Sequence, residues 1–319
     1  MSRKKPRLLI LSSTYLYLLA FIIIILPLML VPIFLTLAAL NIIPDKWLVR
    51  EFTPTVAAPT KIKIFNLETK LSRAINDRSD DVSGYQVKVI YALPSDKQDL
   101  SLDTNGKIST SVAAFQQWFG KQTGSQQLKL DTYKGALDIA FVRLKQTDEQ
   151  IKVNGAFARE SIENELKTLR FNNPQKLYAV YYGGGSNVAC GGAPYPPNII
   201  GNVAVIYLEG TPPNSPACNT NILGGNINQP AYLEFAMLHE IVHGLGFVAS
   251  CAPHHTLSGH VSDSPQDLMY AGNQPWQPSS LDINRDDYFR QKNPSCLDLS
   301  KSIFLDPSVP NAVVPPGWK

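Results

Sequence analysis

The run Pro230-Ala-Tyr-Leu-Glu-Phe-Ala-Met-Leu-His239-Glu240-Ile-Val-His243-Gly-Leu-Gly246 carries more structural information than any other part of the chain. It contains the pattern H-E-x-x-H, and all five histidines of the 319 residues fall between His239 and His260. On a helix, side chains four apart share a face, so His239 and His243 can bind one cation while Glu240, one step round, reaches a water on it. Zinc in such a site polarises the water and a scissile carbonyl, and the carboxylate takes the proton and passes it to the leaving amine. Pro230 suits a first helical position with Asn228 or Gln229 as cap. Tyr232, Phe235, Ala236, Leu238, Ile241 and Val242 put apolar surface on both sides of the ligand face, which predicts a buried helix. Gly244 and Gly246 offer places to end it and turn the chain towards a third ligand. The bland alternative is a surface helix with two solvated histidines.

A catalytic zinc needs a third protein ligand and one open position. His254, His255, His260 and Asp263 are the candidates. H-E-x-x-H-x-x-G resembles the metzincin metalloproteases, whose longer motif places a histidine or aspartate three residues after the glycine; here that position is Ala249, a departure from the pattern. The run Asp267-Leu-Met269-Tyr270 looks like the metzincin Met-turn, a loop beneath the metal that follows the third ligand at short range. The resemblance therefore points to His260, nine residues before Met269, in an expanded loop, ahead of His255, His254 and lastly Asp263. Met269 also has the ordinary reading of a core methionine.

The likeness extends to Ser250-Cys-Ala-Pro-His254-His255, Gly259-His-Val-Ser-Asp263, Pro275-Trp276 and Leu281-Asp-Ile-Asn-Arg-Asp-Asp-Tyr-Phe289. These runs resemble a little-described family of predicted extracytoplasmic zinc metallopeptidases, over most of residues 84–305. The resemblance implies an α+β fold with a metzincin-like mixed, twisted sheet, packed helices and a loop-rich C-terminal subdomain. It also implies one Zn²⁺ per chain on His239, His243 and His260, Glu240 as general base, and a peptide or protein substrate. Tyr270 follows the methionine directly and receives no catalytic role.

The composition, 44% apolar and 17% charged, is that of a folded chain. Arg3, Lys4, Lys5 and Arg7 supply more positive charge than the net +3, so the remainder is close to neutral and nothing in it suggests a nucleic-acid surface. From Leu8 to Pro44 no charged residue occurs, a stretch long enough to cross a bilayer. The basic flank predicts a cytoplasmic tail at 1–14, a single-pass signal anchor at 15–43, and everything beyond outside the cell membrane. Pro27 and Pro32 kink such a helix without excluding it. Residues 44–83 are mixed and polar and suggest a stalk, with a short helix near Ile64 to Ile75; the peptidase-like domain is expected at 84–319.

Within that domain, alternation and β-branched residues predict strands at Tyr85–Leu93, Leu128–Leu130, Ala136–Leu144, Leu177–Tyr182 and Asn202–Leu208. Helical spacing marks Ser109–Phe119 and Arg159–Phe171, with a last helix at Leu281–Phe289. The strand at Val203–Leu208 is expected to border the cleft and pair with an extended substrate. Gly183-Gly-Gly185 and Gly191-Gly192 lack phosphate-loop spacing and suggest flexible loops. Asp282, Arg285, Asp286 and Asp287 look like a solvated helix start, with calcium binding as the rival reading.

Cys190, Cys218, Cys251 and Cys296 are even in number and show no C-x-x-C spacing, which favours two disulfides. Pairing Cys190 with Cys218 and Cys251 with Cys296 pins a loop near the metal in each case, although three connectivities are open; Cys251 as a ligand is the functional rival. Two functions compete with the peptidase: a non-catalytic, zinc-stabilised extracytoplasmic binding module, and a zinc hydrolase of a non-peptide amide.

Overall fold

A computed structural model describes residues 65–318, apart from 70, 214–215, 220–222 and 273–274. The chain divides into two units, Met1–Pro59 and Thr60–Lys319, and the second holds every described residue. The tail at 1–14 and the anchor at 15–43 lie outside the described residues. Among the described residues no helix is long and apolar enough to cross a membrane.

Five strands form the central sheet: β1 (Gln86–Leu93), β2 (Ile139–Arg143), β3 (Lys176–Ser186), β4 (Gly191–Gly192) and β5 (Val203–Gly210), in the order β2-β1-β3-β5-β4. A sixth, β6 (Cys218–Asn219), also pairs with β5. The first three neighbours and β5 run parallel, and β4 and β6 run antiparallel to β5. The sheet is thus mixed, as the alternation of elements predicts.

Both faces of the parallel part are covered, which is why its strands read as continuous apolar runs. Successive residues of β5 alternate between two cores. Ala204, Ile206 and Leu208 join Val89 and Tyr91 of β1 against α1 (Lys107–Thr123) and α3 (Tyr232–Gly244). Val203, Val205 and Tyr207 join Tyr178 and Val180 against Ile162 and Leu166 of α2 (Ala158–Thr168). Leu233, Met237, Leu238, Ile241 and Val242 of α3 are all buried, each contributing about 1.5–3 kcal/mol of transfer free energy. The helix that carries both histidines is therefore wedged between the sheet and the C-terminal loops.

Several expectations change on contact with the structure. α3 begins after Ala231 rather than at Pro230, because Glu234 reaches back and accepts the N–H of Ala231 at 3.0 Å and of Gly224 at 2.9 Å. Its end is as expected, with Gly244 last, Gly246 at φ 96°, and the Trp318 indole donating to the Gly244 carbonyl at 2.9 Å. Gly183–Gly185 lies inside β3 and Gly191–Gly192 is β4, so neither is a loop. The strand at Val203–Leu208 is not the edge: β3 flanks it on one side, β4 and β6 on the other. No helix forms among the described residues of 65–75, nor over Leu281–Phe289, where only a single 3-10 turn, Ile283–Arg285, occurs. Asn284 and Arg285 stand there at φ 63° and 56°, left-handed positions that end any helix.

Residues 71–83, read as stalk, lie along the sheet. Ala74 bridges to Ala140, and Arg78 donates to Asp138 at 2.6 Å. Lys176 Nζ takes Asp77, Asp80 and Asp131 at 2.8, 2.6 and 2.8 Å, while buried Lys88 contacts Asp77, Asp131 and Asp138.

Candidate metal centre

α3 presents His239 and His243 on one face, and a hairpin in which His255 and Thr256 pair with Val261 and His260 brings up a third imidazole. His239, His243 and His260 have ligand nitrogens within 4.8 Å of one another. The Nε2 atoms of His243 and His260 are 3.1 Å apart. Two nitrogens at zinc distance in a tetrahedron stand about 3.3 Å apart.

Each ring is held through its other nitrogen by a backbone carbonyl: His239 Nδ1 by Leu268 at 2.7 Å, His243 Nδ1 by Phe247 at 2.8 Å, His260 Nδ1 by Leu257 at 3.2 Å. A carbonyl only accepts, so each Nδ1 carries the hydrogen and each Nε2 keeps a lone pair. Lone pairs converging at such distances repel unless a cation lies among them. Burial, with the neighbouring imidazoles, pushes His239 down to about 3 and His243 well below the ordinary imidazole range, and burial lowers His260 as well. The rings are neutral at physiological pH, the state that binds metal. The donor set fits one zinc ion with a coordination position left over.

Glu240 lines the same cleft, a cavity of about 360 Å³ bordered by His239, His260, Tyr232, Tyr270 and Trp276. Burial raises its carboxyl to about 8, against the pull of Arg159. β4 lies directly on it: a Cβ added to Gly191 would overlap the Glu240 carboxylate. The indole of Trp276 stands 5.6 Å from the His239 ring and its Nε1 donates to the main-chain carbonyl of Asp267 at 3.0 Å. Asp267 organises the turn that follows the hairpin, accepting from the N–H groups of Met269 and Ile283 and from the Tyr288 hydroxyl at 2.7, 2.9 and 2.9 Å. Met269 is buried, and its carbonyl accepts from Val261 at 3.0 Å.

Of the four candidates for a third ligand, His260 joins the pair. His255 sits one strand across, opposite Val261, and His254 and Asp263 belong to a separate group with Asp286 and Asp287. The disulfides are Cys190–Cys218 and Cys251–Cys296, so Cys251 is not a ligand. Sequence reasoning missed Gly191 and Tyr195, whose ring lies 6.2 Å from that of His243. Paired glycines hint at a close approach, but no pattern flags Tyr195.

No family model matches the chain, and no curated protein matches it. Among solved structures, the crystal structure of wild-type OgpA from Akkermansia muciniphila in P 41 21 2 shares 16% identity over 57% of this chain and 52% of that chain, with a TM-score of 0.31. The same protein in P 21 21 21 gives 16% identity, 69% and 62% coverage and a TM-score of 0.35. A chaperone–substrate complex gives 16% identity, 68% and 33% coverage and a TM-score of 0.34. The chain spans about half the length of the first of these, 52%. Likenesses with these TM-scores identify neither fold nor function.

Proposed function

We propose that the chain is a zinc-dependent metalloendopeptidase, held at the outer face of a cell membrane by its N-terminal apolar stretch. The observation that carries the chemistry is the convergence of three neutral, carbonyl-oriented imidazoles beside the Glu240 carboxylate in an open cleft. His239, His243 and His260 would hold the zinc ion, which when bound would supply Lewis-acid polarisation of a water and of the scissile carbonyl. Glu240 would take the proton from the water and return it to the leaving amine. β4 is the strand that flanks Glu240, and its outer edge, rather than β5, offers backbone groups to an extended peptide. The aromatic wall of Tyr232, Tyr270 and Trp276 gives an apolar side chain somewhere to rest. The outward topology follows from the basic tail and the uncharged stretch. It agrees with both disulfides, which form in oxidising surroundings.

Glu240→Gln in the full chain tests this. Bound zinc should stay at one per chain while casein hydrolysis falls by about 10²–10⁴-fold. Wild-type protein that folds without binding zinc, or a variant that still cleaves at the wild-type rate, would refute the reading.

A further inference from the structure

The hairpin that delivers His260 leads into a second cluster of ionisable groups. His254, Asp263, Asp286 and Asp287 each present one ligand atom, all within 4.8 Å of one another. Asp287 has a fully buried side chain, and both its oxygens receive His254, the backbone N–H at 2.8 Å and Nδ1 at 3.0 Å. Its neighbours have no such donors. Both carboxylate oxygens of Asp263 and Oδ1 of Asp286 are buried without a protein hydrogen bond, and His254 Nδ1 stands 3.9 Å from Asp263, beyond hydrogen-bond reach. Asp282, 4% exposed, adds another such oxygen on the same loop. Its Oδ2 accepts the N–H groups of Tyr288 and Phe289 at 2.7 and 2.6 Å.

Buried carboxylate oxygens without donors are among the costliest groups a fold can hold. Elsewhere this chain neutralises them with side chains: around Asp77, Asp80 and Asp131 the cations are Lys88 and Lys176. Around Asp263, Asp286 and Asp287 no lysine or arginine forms an ion pair among the described residues, and His254 is the one basic partner. Burial and the mutual repulsion of these acids raise the Asp263 carboxyl, and Asp282 goes up to about 6.

We propose that Asp263, Asp286 and Asp287 form a second divalent-cation site, one that takes calcium. The donors are hard carboxylate oxygens, which calcium favours at high coordination number. Zinc would want nitrogen or sulfur, yet His254 Nδ1 is committed to Asp287 and every cysteine is oxidised. A cation here ties Asp263, three residues after His260, to Asp286 and Asp287, all within the loop that the Cys251–Cys296 bridge closes. It is a clamp on the hairpin, and its existence does not depend on the peptidase reading.

The test uses the full chain in detergent, stripped of metal by dialysis against a chelator, returned to chelator-free buffer, reloaded with one equivalent of zinc, and then titrated with calcium chloride. Elemental analysis should find one calcium beside one zinc. The melting temperature should rise saturably, by about 5–10 °C at a hundredfold excess over Kd. In the double variant Asp263→Asn/Asp286→Asn that rise should vanish, while the stripped variant melts no lower than the stripped wild type, since removing repelling charges costs the fold nothing. Calcium that neither binds nor shifts the wild-type melting temperature overturns the proposal, whether or not the variant folds. So does an undiminished shift in the variant, or a second zinc that calcium fails to displace.

Discussion

Two clusters of ionisable side chains sit on either side of one hairpin, and they solve the problem of buried charge in opposite ways. At His239, His243 and His260 the rings are neutral, and each Nδ1 is fixed by a main-chain carbonyl. At Asp263, Asp286 and Asp287 the groups are carboxyls, and three of their six oxygens are buried without a hydrogen bond. The first cluster is preorganised: its acceptors belong to the turn at Leu268, the turn that follows α3 at Phe247 and the hairpin at Leu257. The second is assembled from two loops, one carrying Asp263 and one carrying Asp286 and Asp287, and relies on a counter-ion to hold them. A site that must act on a substrate is built on rigid elements, and a site that only ties loops together can leave its own neutralisation to the ion.

The largest effect expected from this difference concerns the ligands themselves. Replacing His260 by alanine should weaken zinc binding by more than about 100-fold, because the hairpin contributes this one nitrogen and no neighbour reaches its place. His255→Ala and His254→Ala should leave zinc content at one per chain, as neither ring belongs to the converging set. Elemental analysis of the three purified variants decides the matter. Zinc lost with His255 or His254 instead would break the division into two clusters.

A smaller effect sharpens the contrast on the catalytic side. Gly191→Ala places a methyl group where the Glu240 carboxylate now lies, so the carboxylate must shift. Zinc content should stay unchanged and kcat fall by about tenfold or more, since a shift of an ångström in a catalytic base is costly. Wild-type turnover in this variant would mean that β4 stands away from Glu240 during catalysis.

Much of the first cluster was legible in the sequence, and little of the second. The i, i+4 spacing of His239 and His243 on an apolar helix is a local signal, which helical geometry turns directly into a shared face. His260 came from resemblance to known motifs and not from periodicity, because hairpins of two residues a side leave no pattern. The two disulfides followed from which loops would border the site. What escaped was set by contacts distant in sequence. Asp287 looks solvated until His254, 33 residues away, is seen to donate to it twice. Gly191 and Gly192 look like loop until they pair with Ile206 and Val205. The expected helix at Leu281–Phe289 fails through two left-handed residues, Asn284 and Arg285, that carry no glycine to announce them.

The smallest expected effect is the most specific, because it concerns the sign of a slope. In the stripped protein Asp263 and Asp282 have carboxyls above the ordinary value of 3.8, Asp282 at about 6. The folded chain then holds these protons more tightly than the unfolded chain, so folded stability falls as pH rises between about 4 and 6. His254, raised by Asp287, tilts the same way: its contribution is complete below its ordinary 6.5 and is lost as pH climbs through its folded value. Asp286 and Asp287 face Asp263, and Asp287 faces Asp282, so each further ionisation deepens the repulsion. Calcium binds the ionised form, and its stabilisation must grow over the very window in which the stripped fold weakens. The gap in melting temperature between calcium-loaded and stripped wild type should therefore widen from near zero at about pH 4 to its full extent near neutrality. Other buried acids, Asp131 at about 6 and Asp267 at about 7, impose slopes of their own, so the quantity to follow is wild type minus Asp263→Asn/Asp286→Asn at each pH. A difference that stays flat with pH would leave these carboxylates solvated, and the two clusters would then differ in composition but not in how the fold deals with charge.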